Sequence, residues 1–132
     1  MTSADTTARS GALRGVTWTS GVLAIGCALL AVGHLGLRVP VLSALGPGGV
    51  RAVVPAAIAF TVAAVLHALV GVGVTRGRSW AWPLGVLIAA ATLFGATTPF
   101  RGVISAVGIM LAGLELGLLL TTDGRRLLRG PS

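Results

Sequence analysis

The stretch AVVPAAIAFTVAAVLHALVGVGV, residues 52–74, contains no aspartate, glutamate, lysine or arginine, and a single histidine, His67. A helix needs about 20 apolar residues to cross the roughly 30 Å hydrocarbon layer of a bilayer, and this run supplies them. It shows no sustained period-2 alternation, so it does not read as a barrel strand. A helix satisfies its own backbone N–H and C=O groups, which lipid demands. The fold therefore turns on how many such stretches the chain holds.

There are four, at 16–37, 52–74, 80–98 and 102–120. The whole chain is 55 % hydrophobic and 10 % charged, with a mean hydropathy of +0.95. Soluble domains carry about 25 % charged residues, so these few charges cannot cover a water-facing surface. The expected fold class is all-α, an antiparallel four-transmembrane-helix bundle forming a single membrane domain. Residues 1–15 and 121–132 are expected to flank it as a cytoplasmic N-terminal segment and a cytoplasmic tail.

The prolines fit these bounds. Pro55 and Pro83 fall in the first turns of the second and third spans, where a missing N–H costs little. Pro99 closes the third span, and Pro40 and Pro47 lie in the first loop, RVPVLSALGPGGVR (38–51). The other links, TRGRS (75–79) and PFR (99–101), are short and force neighbouring spans to reverse direction. The first apolar run exceeds the 7–15 residues of a signal-peptide core, so it is expected to be retained.

An even number of spans puts both termini on one side. That side carries Arg9, Arg14, Arg76, Arg78, Arg125, Arg126 and Arg129, against Arg38, Arg51 and Arg101 on the other. The arginine bias places both termini in the cytoplasm, with the chain in the cell membrane. Trp18, Trp80 and Trp82 fall at the same boundary, as an interfacial aromatic belt does. The net charge of +7 therefore reads as topology signal and anionic-lipid contact, not as a nucleic-acid surface. The expected partners are the lipid bilayer and other membrane helices.

Lipid is as apolar as leucine, so helices associate there by close packing of small residues. Candidate stripes at spacing four are Ser20, Ala24 and Ala28; Ala59, Ala63, His67 and Gly71; and Ala81, Gly85 and Ala89. The fourth span has Gly108 with Ala112, and the GxxxG pair Gly113 and Gly117.

Two ionisable residues sit inside spans at nearly equal depth. Glu115 lies about six residues, roughly 9 Å, from the cytoplasmic end of the fourth span. His67 lies about eight residues, roughly 12 Å, from the same end of the second. An ionised acid at such a depth costs on the order of 2.5–3.5 kcal/mol on insertion scales. Three arrangements relieve that cost: a protonated acid, a pair with His67, or a water-filled cavity. Glu115 and His67 are thus the candidate intramembrane proton or ion site, or else an interhelical hydrogen bond that fixes register.

No catalytic residue, metal or cofactor is expected. The chain has no Walker loop, HExxH, GxSxG or serine–histidine–acid set. Its one cysteine, Cys27, forms no intrachain disulfide and reads as a packing residue. Cys27 and His34 are separated by about 10 Å of helix, too far for one metal. A haem between His67 residues of two protomers is the one cofactor geometry left open.

At GRSWAWPLG (77–85) the chain resembles small four-span prokaryotic integral membrane proteins that share a G-R-x-W-A lead-in to the third helix and a basic exit after the fourth. The resemblance implies the four-helix membrane fold and no activity. Small multidrug resistance transporters are similar in length and span number. Their essential acid lies in the first helix, however, where this chain has none. The expected role is a non-catalytic accessory subunit or homo-oligomeric structural membrane protein. The alternative is a small proton-coupled transporter or channel using Glu115 and His67.

Overall fold

The computed structural model describes residues 3–45 and 52–121, and among them it is all-helical. The elements are α1 (Ser3–His34), α2 (Pro40–Leu45), α3 (Val54–Thr75), α4 (Ala81–Thr97) and α5 (Val103–Leu120). Three apolar stretches are long enough to cross a membrane: Gly11–His34 within α1, the whole of α3 and the whole of α5. The third expected span is shorter, since α4 has 17 residues, or roughly 25 Å at 1.5 Å per residue. Two further differences concern α1 and the first loop. The helix α1 continues back to Ser3, through the segment expected to precede the first span, and the loop contains the one-turn-and-a-half helix α2.

Local chemistry sets the helix ends. Pro55 stands in the first turn of α3, where its ring presets φ and no hydrogen bond is lost. At the other end Gly77 takes φ +62°, its N–H bonds to the Val74 carbonyl, and the Arg78 N–H reaches back to Gly73. This is the Schellman closure, which uses two carbonyls that the last turn leaves free. At the start of α5 the Ser105 hydroxyl accepts the Arg101 N–H at 2.8 Å, using a donor outside the helix ladder.

The four long helices pack in a ring. His34 and Phe60 have ring centroids 5.1 Å apart, the Val53 N–H bonds to the His34 carbonyl, and Ser20 faces Gly71. Residue numbers therefore fall along α3 as they rise along α1. The same reversal relates α3 to α4, where Gly73 meets Ala81 and Val70 meets Gly85. It relates α4 to α5, where Ala96 meets Gly108 and Gly85 meets Leu119, and α1 to α5, where Gly15 meets Leu118. Hence α1 and α4 each pack between α3 and α5, which stand diagonally opposite.

The core is built from Val16, Val70, Val74, Ala81, Ile88 and Leu119. Leu119 is fully buried because Gly85 yields it a notch. A Cβ on Gly85 would stand 2.8 Å from Leu119 Cδ1. The half-buried Trp82 ties the same point, its Nε1–H donating to the Leu119 carbonyl at 2.7 Å. Gly73 plays a similar part under Trp80 and Ala81, since a Cβ there would come within 2.8 Å of both side chains.

The small-residue stripes fare unevenly. Ala81, Gly85 and Ala89 are all buried, as spacing four suggests. On α1 the buried positions are Val16, Thr19, Ser20, Leu23, Cys27 and Ala31, while Ala28 is exposed. A strict four-residue step overshoots the 3.6-residue turn, so a stripe must mix steps of three and four to keep facing its neighbour. Gly113 and Gly117 point outward, and a Cβ on either meets nothing within 4 Å.

The surface is inverted relative to a water-soluble protein. Ile25, Ile58, Leu87, Phe94 and Met110 are exposed, whereas Ser20, His67, Ser105 and Glu115 are buried. Continuous apolar exposure of this extent matches contact with lipid.

Candidate functional site

Ser20, Glu115, His67 and Thr92 form one line of polar contacts. Each comes from a different helix: α1, α5, α3 and α4 in that order. The Ser20 hydroxyl donates to Glu115 Oε1. Glu115 Oε2 stands 3.2 Å from His67 Nδ1. His67 Nε2 stands 3.0 Å from Thr92 Oγ1. Ser20, His67 and Glu115 are each 0 % exposed.

The helix arrangement explains the meeting. Being diagonal, α3 and α5 leave the bundle axis between them, and long side chains at equal height bridge it. Gly71, one turn beyond His67, lies on the α3 face turned to α1; a Cβ there would make ordinary contact with Ser20 Cβ at 3.7 Å. Ala112 is fully buried one turn before Glu115 and keeps the α5 face small at that level. Sequence reasoning matched Glu115 and His67 by depth, and the structure brings the two together. The sequence marks Ser20 only as a member of a small-residue packing stripe and does not single out Thr92. Serine and threonine in helices commonly bond their own backbone carbonyls, as Thr17 does to Leu13, Thr19 to Gly15 and Thr61 to Ala57. No sequence signal sets Ser20 apart from these.

The central contact is close but imperfectly aligned. His67 Nδ1 and Glu115 Oε2 face each other within ion-pair distance, yet no aligned hydrogen bond forms and neither atom has another hydrogen-bond partner among the described residues. With one proton between them the pair is electrically neutral, either as carboxylate with imidazolium or as carboxylic acid with imidazole. In both forms Nε2 carries hydrogen, and the Thr92 hydroxyl, which can donate or accept, takes the acceptor role toward it. Moving the proton from Oε2 to Nδ1 changes no net charge. Adding a second proton, or removing the first, leaves a charge in a low-dielectric interior, which is expensive.

The remaining sequence candidates lie apart from this line. Trp18 is 76 % exposed on α1. Arg76, Arg78 and Trp80 are exposed at the turn between α3 and α4, with Trp82 half-buried beyond it. Arg125, Arg126 and Arg129 lie outside the described residues. His34 bonds its Nδ1 to the Leu30 carbonyl at 2.8 Å, and Cys27 is buried on α1. No three His, Cys, Asp or Glu side chains among the described residues gather into a metal-binding set.

No family model, curated protein or solved structure matches the chain.

Proposed function

We propose that the protein is a multi-pass integral protein of the cell membrane, crossing it four times with both termini in the cytoplasm. It has no catalytic activity of its own and serves as an accessory subunit or homo-oligomeric structural component. The observation that carries this reading is the buried line Ser20–Glu115–His67–Thr92, which takes one side chain from each long helix. Such a line is a register lock. Any helix sliding by one residue moves its member about 1.5 Å along the axis and breaks the contact. The outward face is left apolar for lipid and for neighbouring helices. With only 17 residues, α4 crosses by local thinning of the bilayer or by packing against a neighbour.

The test is purification in mild detergent, with identification of what accompanies the protein and its mass on a sizing column. An accessory or structural protein copurifies with a defined partner or with itself, and Glu115→Gln leaves that association intact. A lone monomer that associates with nothing removes the proposal. Reporter tags at the two ends test sidedness directly, and ends on opposite faces exclude four crossings.

One feature favours a second reading, a small proton-coupled transporter. The facing atoms Nδ1 and Oε2 lack an aligned bond, so this pair presents two adjacent buried atoms, each able to carry a proton, that no structural hydrogen bond occupies. Reconstituted vesicles carrying a pH-sensitive dye distinguish the two readings. Proton flux abolished by Glu115→Gln supports transport, and no flux above protein-free vesicles removes it.

A further inference from the structure

We infer that the seam between α1 and α3, at the end carrying Arg14 and Trp18, binds one anionic glycerophospholipid. Its phosphate sits on Arg14 and one acyl chain lies along the seam. The inference rests on the reading that the chain crosses a bilayer, and it adds a specific site to that reading.

Two open grooves mark the place. One, of about 340 Å³, is lined by Leu13, Arg14, Thr17, Trp18, Val74 and Thr75. The other, of about 230 Å³, lies against Gly21, Gly71 and the wall formed by His67. They share Thr17 and Thr75, so they form one trough along the two helices. From Arg14 to Gly21 the trough follows roughly 10 Å of helix. Its threonines have no hydroxyl proton left to offer an anionic ligand. Thr17 Oγ1 bonds the Leu13 carbonyl at 3.0 Å and Thr75 Oγ1 the Val72 carbonyl at 2.9 Å. Gly21 opens the floor, since a Cβ added there meets nothing within 4 Å. The trough thus accepts a slender apolar chain along its length.

Its mouth asks for an anion. Arg14 is exposed and has no ion-pair partner among the described residues. The one acid whose side chain is described, Glu115, is fully buried and engaged with His67. Trp18 stands beside Arg14 on the groove wall, where an indole meets the glycerol level of a lipid. A bilayer supplies one ligand with an anionic head and an apolar chain joined at this depth, an anionic phospholipid. A single arginine near the surface contributes about 1 kcal/mol toward such a lipid, or on the order of fivefold in affinity.

The protein is reconstituted in phosphatidylcholine vesicles. A small fraction of the lipid is either phosphatidylglycerol or phosphatidylcholine with brominated acyl chains, and tryptophan quenching is read. Brominated phosphatidylglycerol should quench more strongly than brominated phosphatidylcholine, and Trp18→Phe should remove the excess. Arg14→Gln should weaken the preference on the order of fivefold. Gly21→Leu should fill the trough and abolish the preference without lowering thermal stability. Equal quenching by the two lipids overturns the site, as does a preference that survives either Arg14→Gln or Gly21→Leu. Failure of the protein to float with vesicles is a separate result, and it overturns the membrane reading itself.

Discussion

His67 Nδ1 and Glu115 Oε2 meet at 3.2 Å across the bundle, on the two helices that stand diagonally opposite. The Ser20 hydroxyl on one flank and Thr92 Oγ1 on the other complete the contact. A diagonal bridge restrains all four helices at once, because its two flanking partners come from the two helices between. Buried hydroxyl and imidazole groups are costly when unmatched, so the same atoms that lock the bundle penalise any variant that removes a partner.

Glu115→Leu should therefore destabilise the protein by about 1–3 kcal/mol, because it orphans the Ser20 hydroxyl and removes the polar atom that faces His67 Nδ1 in an apolar interior. Glu115→Gln should cost less. The amide oxygen still accepts from Ser20, and the amide nitrogen donates to an unprotonated Nδ1. Thermal melting in detergent checks the order wild type, glutamine, leucine. A leucine variant melting at the wild-type temperature would remove the lock.

The coupling between Ser20 and Glu115 can be isolated. A double-mutant cycle with Ser20→Ala and Glu115→Leu should return about 0.6 kcal/mol, the average for interhelical hydrogen bonds in membranes, and no more than about 1.7 kcal/mol, their maximum. Strict additivity of the two single effects would show that the contact contributes nothing to stability.

Two glycines make opposite predictions. Gly85→Ala places a Cβ 2.8 Å from Leu119 Cδ1 and 3.2 Å from Val70 Cγ1, and should cost about 1–3 kcal/mol through overpacking. Leu119 is fully buried and has little freedom to withdraw. Gly113→Ala meets nothing within 4 Å, so bundle stability should hold or rise slightly, as alanine favours helix by up to about 1 kcal/mol over glycine. Melting curves of the two variants, compared side by side, decide this. If Gly113→Ala instead changes the mass on a sizing column, the outward glycine face is a contact between copies.

Trp82→Phe deletes the N–H that the Leu119 carbonyl accepts while keeping most of the ring. The expected loss is about 0.5–1.5 kcal/mol. Hydrogen exchange should localise the effect to the last turn of α5. Uniform loosening across all helices would argue against so local a tie.

The sequence made several of these features legible. Glu115 and His67 could be matched in depth because the rise per residue is fixed and each lies a countable distance from an arginine-marked end. Pro55 marked the first turn of α3, and the spacing of Ala81, Gly85 and Ala89 marked a buried face. The Ser20–Ala24–Ala28 stripe misled, because the face of α1 that is buried advances by three as well as four and leaves Ala28 outside. The outward turn of Gly113 and Gly117 was equally invisible, since glycine spacing is the same whether the pair faces a neighbour within the bundle or lipid.

Composition and hydropathy by themselves determined the apolar helices, their approximate bounds and the heights of the ionisable groups along them. These are properties of single segments, set by local chain geometry and by the cost of polar groups in hydrocarbon. Only the tertiary structure decided which helices adjoin, that α3 and α5 are diagonal, and that Ser20 and Thr92 complete the line through Glu115 and His67. Those are questions of rotation about each helix axis, and rotation is fixed by how side chains from several helices fill one shared interior, as Leu119 fills the notch at Gly85.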